Sequence, residues 1–503
     1  MNIGRKQRVK KSVLTTLALQ ITTLVCGLIV PRALLGAYGS EAYGATTSIT
    51  QFLSYITLLE GGIGGVARAA LYKPLAENDK TKISVIVYEL KRFFRILAYI
   101  SIGYALVLAC TFKSLSHIEC YDWMTTFWLV LVIAISTFGQ YFIGISYSAL
   151  IQADQRVYII NILSIATTVL NALFVIVLIK AGSNLLVVKL ASSIVFLLKP
   201  TAMWIYVRRK YGIVMRPKRD KSVLSQRWTG LGHHIAYYIH NNTDVTVLTL
   251  VDNLKSVSVY SVYNMVTQNI QNVVSALCSG MESLFGDMIA RNEKRQLNET
   301  FDLYETMISI ACTVLFSTVY VMIVPFVSIY TKGIEDANYI RPEFAYLITT
   351  AAVVYCFRYP YIATITAAGH FSQTRWGAYG EAILNICTSV ILVWKLGLEG
   401  VAIGTVIAIA ARLVYSVIYL SKDILSRPIR SFIQRESVNF INIACIVLGC
   451  SAFIRKFEIS NYFQWVCCAG AVFLISTAVT LFINLIVYKD TTIKAYKTII
   501  SKK

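Results

Sequence analysis

The segments AENDKTKISVIVYE (residues 76–89) and ARNEKRQLNETFDLYE (residues 290–305) decide the fold, because they are similar polar connections in a chain that is otherwise strongly apolar. Apolar stretches match one another by chance, since Leu, Ile and Val interchange freely; charged loops do so far less. Three further pairs keep nearly the same spacing: YSALIQADQR (147–156) with TITAAGHFSQTR (364–375), FGQY (138–141) with FRYPY (357–361), and LNALFVIVLIKAG (170–182) with LNICTSVILVWKLG (384–397). All the offsets fall at about 214 to 220 residues, which indicates an internal duplication.

The material between these loops is membrane-like. The chain has 503 residues, of which 56% are hydrophobic and 15% charged, and its mean hydropathy of +0.62 lies above the range of soluble domains. A span of about 20 largely apolar residues crosses a bilayer, and fourteen stretches meet that rule, from 12–33 at the start to 462–488 at the end. Each repeat holds six of them, an even number, so both halves insert in the same orientation and are expected to be related by an axis along the membrane normal, with a central cavity at their interface. The expected fold is therefore all-α and polytopic: an N-terminal six-helix lobe over 12–210, a C-terminal six-helix lobe over 229–425, and two additional transmembrane helices within 437–488.

The net charge of +21 would point to nucleic acid in a soluble protein. Here it follows the topology. With the N-terminus inside, the inward segments carry 34 Lys and Arg and the outward segments 9, a positive-inside asymmetry that places both termini in the cytoplasm and leaves no nucleic-acid partner to explain. The basic N-terminus leads into a span-length apolar run without a convincing cleavage site, which reads as an uncleaved first helix. Ten of the eleven cysteines lie in or beside apolar stretches, so no disulfide framework is expected. No DxD, HExxH, GxSxG or P-loop pattern is placed for chemistry, and no outside loop exceeds about 14 residues, which argues against a membrane polymerase or glycosyltransferase. No catalytic residue, metal site or cofactor is assigned, and the chain reads as a non-enzyme.

Charges at membrane depth cost roughly 2.5 to 3.5 kcal/mol each to insert, so each is a candidate for function. Lys199 and Arg412 occupy matching places in the sixth spans of the two repeats, and Arg358 matches Gln140 in the fourth. Fixed cations in a wet cavity suit an anionic cargo, with Arg able to hold phosphate oxygens in pairs; snorkelling for Lys199 and local pairing or capping for Arg412 are the structural alternatives. Among the acids, Asp244 ends HNNTD (240–244), so that Asn241, Asn242 and Asp244 form a polar patch in the seventh span. A carboxylate there can carry a proton or hold a cation, or the patch can simply join helices. In LSYITLLEGGIGGVARAALYK (53–73), Glu60 precedes a glycine run and Arg68 follows it. Gly61 and Gly65, four apart, are expected to admit a close helix and to let the span bend. Arg68 is placed to meet a cargo head group at the cytoplasmic end, or to serve topology alone.

PRALLGAYGSEAYG (31–44), the LLEGGIGG stretch, HNNTD, VSVYSVYNMV (257–266) and the duplicated fourteen-span plan together resemble bacterial polysaccharide flippases of the Wzx type, within the multidrug/oligosaccharidyl-lipid/polysaccharide exporter superfamily. The resemblance covers nearly the whole chain. It implies a flippase of the bacterial inner membrane that moves an undecaprenyl-pyrophosphate-linked oligosaccharide between leaflets for O-antigen or capsule assembly, by alternating access around a cationic cavity. It further implies H+ or Na+ as coupling ion, contact with membrane lipid, and a polysaccharide polymerase as a candidate partner. Arg32 takes the place of the Arg in the family's R-x-L-G pattern, here R-A-L-L-G with one residue more. Arg358, Arg412 and Lys199 would be cavity cations by position in the fold. Two relatives of the same superfamily stay open as alternatives: an ion-coupled drug or organic-cation exporter, and a lipid II flippase.

Overall fold

The computed structural model describes residues 3–60, 63–212, 242–278 and 280–488, and among these every regular element is helical. In chain order they are α1 (Ile3–Ser54), a 3-10 turn (Tyr55–Glu60), α2 (Ile63–Ala76), α3 (Lys80–Ser116), α4 (Trp123–Gly139), a π turn (Gln140–Gly144), α5 (Ile145–Ala153), α6 (Val157–Lys180) and α7 (Leu185–Tyr211). Then come α8 (242–251), α9 (Leu254–Cys278), α10 (Met281–Ala290), α11 (Lys294–Tyr330), α12 (Pro342–Phe357), α13 (Tyr359–Ala367), α14 (Phe371–Asp423), α15 (Ile429–Ile454) and α16 (Tyr462–Val487).

Ten helical stretches among the described residues are long and apolar enough to cross a membrane. Two of them are double: α1 and α14 break at Gly39 (φ 82°) and Gly397 (φ 56°), backbone conformations that favour glycine. Of the other expected spans, 342–368 is divided at Arg358 into α12 and α13, and 229–251 is described only from residue 242. With these, the fourteen-span plan and the all-α polytopic class agree with the structure.

The chain forms two compact units, one of Met1–Tyr238 with Asn253–Ser258, the other of Ile239–Asp252 with Val259–Lys503. The turns of the first recur in the second. Left-handed residues stand at Asn78 and Asn292, Gln155 and Gly369, Gly182 and Gly397, and Gly212 and Ser426, each pair about 214 residues apart, as a duplicated chain requires. The break in the fourth span recurs as well, as the π turn at Gln140–Gly144 and as the interruption at Arg358 before Pro360.

Local chemistry sets the helix starts. Asp79, Asp122, Asn184 and Asn461 each cap a following helix by accepting a backbone N–H three residues on. In the first unit Phe94, Tyr141, Leu150 and Met203 share one core; in the second Phe285, Phe301, Tyr361 and Ile409 do. Close helix approach comes from small residues, as is usual in lipid. A methyl group on Gly404 would lie 2.5 Å from the Ser389 hydroxyl oxygen and 2.7 Å from its backbone nitrogen. Gly404→Val is therefore expected to lower thermal stability in detergent, by about 1 to 3 kcal/mol from overpacking; an unchanged melting temperature would show that the two halves of α14 are not held this closely.

The glycine run after Glu60 behaves differently from the sequence expectation. The second span does leave α geometry, through the 3-10 turn that ends at Glu60, while Gly61 and Gly62 lie outside the described residues. A side chain on Gly65, however, would meet nothing nearer than the Arg68 guanidinium at 4.0 Å, and one on Gly64 the same group at 3.7 Å. These glycines leave room for Arg68 rather than for a neighbouring helix.

Candidate functional site

In the second unit, α8 carries Asp244 into contact with three other helical segments. Its Oδ1 accepts a hydrogen bond from the Thr405 hydroxyl at 2.8 Å and its Oδ2 one from the Tyr260 hydroxyl at 2.9 Å. Asn385, on the first half of α14, donates to the Thr405 hydroxyl at 3.3 Å, and its own Oδ1 is buried without a hydrogen-bond partner. Asp244 is 8% exposed. It borders a cavity of about 70 Å³ whose polar wall includes Tyr260, Asn264, Gln268 and Thr405. About one probe sphere of 10 to 15 Å³ is enough to hold a water, so this space has room for an ion with its waters.

Tyr355 borders the same cavity, and its ring lies under the Arg358 guanidinium, 4.5 Å from centre to carbon. Arg358 sits at the break between α12 and α13, and its Nη1 donates to Glu381 Oε1 at 2.7 Å. Arg412, from the second half of α14, places Nε 3.7 Å from Glu381 Oε2 and donates Nη1 to the Thr374 carbonyl at 3.1 Å. All three charged residues are at most 8% exposed. Gly377 makes room for this arrangement, since a methyl group there would fall 2.0 Å from Arg412 Nη1. Two guanidinium groups thus share one carboxylate, and the trio carries one positive charge in excess. Such a cluster can hold an added anion without leaving any of its own charges uncompensated.

Of the remaining sequence candidates, four are dispersed through the first unit. Arg32 is half-buried on α1, beside Gly36. Glu60 accepts a hydrogen bond from the Tyr141 hydroxyl at 2.7 Å, the π turn having carried Tyr141 toward it. Arg68 donates to Gln152 Oε1 at 3.1 Å. Lys199 precedes Pro200 on α7, half-buried. Asn242 begins the described part of α8, and Asn241 lies outside the described residues. The structure therefore brings Arg358 and Arg412 together, with Asp244 adjoining through Tyr355.

Sequence reasoning does not single out Tyr260, Asn385 or Thr405. One signal was available: Tyr260, Asn264, Thr267, Gln268 and Gln271 recur at spacings of three and four, the pattern of one helix face. Asn385 and Thr405 carry no such mark. Their role arises because Gly397 folds α14 back on itself. Among the described residues no group of His, Cys, Asp and Glu is arranged to hold a metal ion.

No family model and no curated protein matches the chain. Solved structures do share its fold. The lipid II flippase MurJ, in an inward closed conformation, aligns with a TM-score of 0.68 at 14% identity, over 95% of this chain and 99% of its own. An inward-facing multidrug resistance MATE family transporter of the MOP superfamily aligns with a TM-score of 0.61 at 14% identity, over 81% of this chain and 98% of its own. The eukaryotic MATE transporter AtDTX14 gives 0.57 at 14%, over 83% and 96%.

Proposed function

We propose that the chain is a Wzx-type flippase that translocates an undecaprenyl-pyrophosphate-linked oligosaccharide across the bacterial cytoplasmic membrane, by alternating access of the duplicated lobes 12–210 and 229–425. The observation that carries this reading is the buried Arg358, Glu381 and Arg412 trio with its surplus positive charge. A pyrophosphate must shed water to cross hydrocarbon, and fixed guanidinium groups offset that cost where ε is low. Lys199, Arg32 and Arg68 add cations in the other repeat. A drug or organic-cation exporter would need acids to dominate instead. The larger share of the chain taken in by the lipid II flippase fold than by the MATE folds also favours a lipid-linked cargo.

Asp244 is the proposed coupling group. Its carboxylate and the Thr405 oxygen offer Na+ oxygen ligands, while the carboxylate alone offers H+ a base. Glu60, Asn242 and Asn241 are proposed to line the cargo path. No chemistry on the cargo is involved, both termini would be cytoplasmic, and a polysaccharide polymerase would receive the product.

The lipid II flippase fold gives a second reading, movement of lipid II, its own support. Proteoliposomes containing the full chain separate the two. Fluorescent undecaprenyl-pyrophosphate oligosaccharide is expected to become accessible in the opposite leaflet, with lipid II at least about tenfold slower, a difference of about 1.4 kcal/mol. Faster lipid II movement would favour the second reading, and movement of neither would end both.

A further inference from the structure

Three helices of the second unit meet along a polar seam far in sequence from Asp244. On α11 the buried residues Glu305, Ser309, Thr313 and Ser317 recur every four positions. On α16, Ser476, Thr480 and Asn484 do the same, and α15 contributes Glu436, Asn439 and Asn442. Such spacing puts each set on one helix face. Trp465 donates to the Met322 carbonyl and Arg435 lies over the Tyr488 ring, which fixes the register at both ends. The seam closes on an apolar cluster that includes Met322, Ile446, Cys450 and Val472, and at its other end it reaches Asp302, whose side chain is 41% exposed.

Charge is matched there except at one residue. Arg427 Nη1 lies 2.8 Å from Glu305 Oε2 and 3.1 Å from Asp302 Oδ1, and Arg435 also pairs with Glu305 Oε2. Tyr361 donates its hydroxyl to Glu305 Oε1. Two guanidinium groups and two carboxylates thus balance one another in charge, with Arg435 Nε buried and without a hydrogen-bond partner. Glu436, 6% exposed, has no ion pair within 4 Å and one hydrogen bond, from Asn439 at 3.4 Å. The charged groups that act on it are Glu305 and Arg435, which are paired with one another, and the other titratable neighbours, Cys312, Tyr361 and Tyr488, bring no positive charge. Beyond it, both polar atoms of Asn442 and the hydroxyls of Thr313, Ser317, Ser476 and Thr480 are buried without partners. Neutral donors and acceptors of this kind can order water but cannot balance a carboxylate.

We propose that Glu436 is a proton-binding site, distinct from the Asp244 site. Uptake converts the carboxylate and a hydronium ion to a carboxylic acid and water, and the acid can then hydrogen-bond into the seam as donor and acceptor.

Infrared difference spectra of the full chain in nanodiscs, recorded through a pH titration in H2O and D2O, test this without any cargo and so independently of the flippase reading. A carboxylic-acid carbonyl band that titrates and shifts in D2O is expected, and Glu436→Gln should abolish it. Glu305→Gln frees Arg435 beside Glu436 and should lower the midpoint by more than about one pH unit. Asn439→Leu, which removes the donor to the ionised form at similar volume, should raise it. Difference spectra in which Glu436→Gln removes no titrating band, a midpoint of the lost band indifferent to both neighbouring changes, or a band that does not exchange in D2O would overturn the assignment.

Discussion

The double variant Arg358→Ala/Arg412→Ala is expected to insert in the membrane and to lose flipping of pyrophosphate-linked oligosaccharide by more than about 100-fold. Each guanidinium can give an anion charge-assisted bonds of about 1.5 to 3 kcal/mol, and two such losses exceed the roughly 2.7 kcal/mol that a 100-fold change requires. The two residues also hold Glu381, and breaking a buried pair from one side costs about 3 to 5 kcal/mol of stability. A fall in transport therefore needs a control for folding. The variant Arg358→Met/Glu381→Gln/Arg412→Met supplies it, because it removes all three charges while keeping similar volumes. It should melt close to the parent and still fail to flip. Transport retained in that variant would dismiss the cation site. Lysines at 358 and 412 should restore function in part, since a point charge replaces a fork that can grip two oxygens. A full rescue would mean that charge alone suffices.

The parts legible in the sequence were those fixed by local chemistry. Loop residues such as Asn78 and Asn292 match because a left-handed turn accepts few residue types, so the duplication could be read from polar connections before any helix was placed. The break at Arg358 was not foreseen in the expected span, although Pro360, which cannot continue the backbone hydrogen bonding, lies beside it. What could not be read were relations set by folding at long range. Arg358 and Arg412 were visible as costly charges, yet that they share Glu381 depends on the packing of α12 against both halves of α14. Thr405 reaches Asp244 across 161 residues, and nothing local to either announces it. Gly65 misled for the opposite reason: its spacing from Gly61 fits close helix packing, but the room it leaves is taken by the Arg68 guanidinium.

Asp244→Asn should uncouple transport from the ion gradient. The amide keeps the shape of the carboxylate but replaces one acceptor with a donor, while the hydroxyls of Thr405 and Tyr260 both donate to this side chain. One hydroxyl must turn away, and the negative charge that would draw Na+ or H+ into the small cavity beside it is gone. Losing a charged ligand costs about 1.5 to 3 kcal/mol, so gradient-driven accumulation of cargo in proteoliposomes should fall at least about tenfold. Exchange without a gradient should fall less, because the Arg358 and Arg412 trio is intact. Imposing a Na+ gradient and a pH gradient separately identifies the ion: Thr405→Val should weaken a Na+ response by removing a ligand oxygen, and should weaken a proton response little, since the carboxylate remains. Glu436→Gln offers an independent comparison, as its carboxyl lies on α15, outside the duplicated helices. If Asp244→Asn follows both gradients as the parent does, Asp244 is a structural polar contact and the coupling ion binds elsewhere.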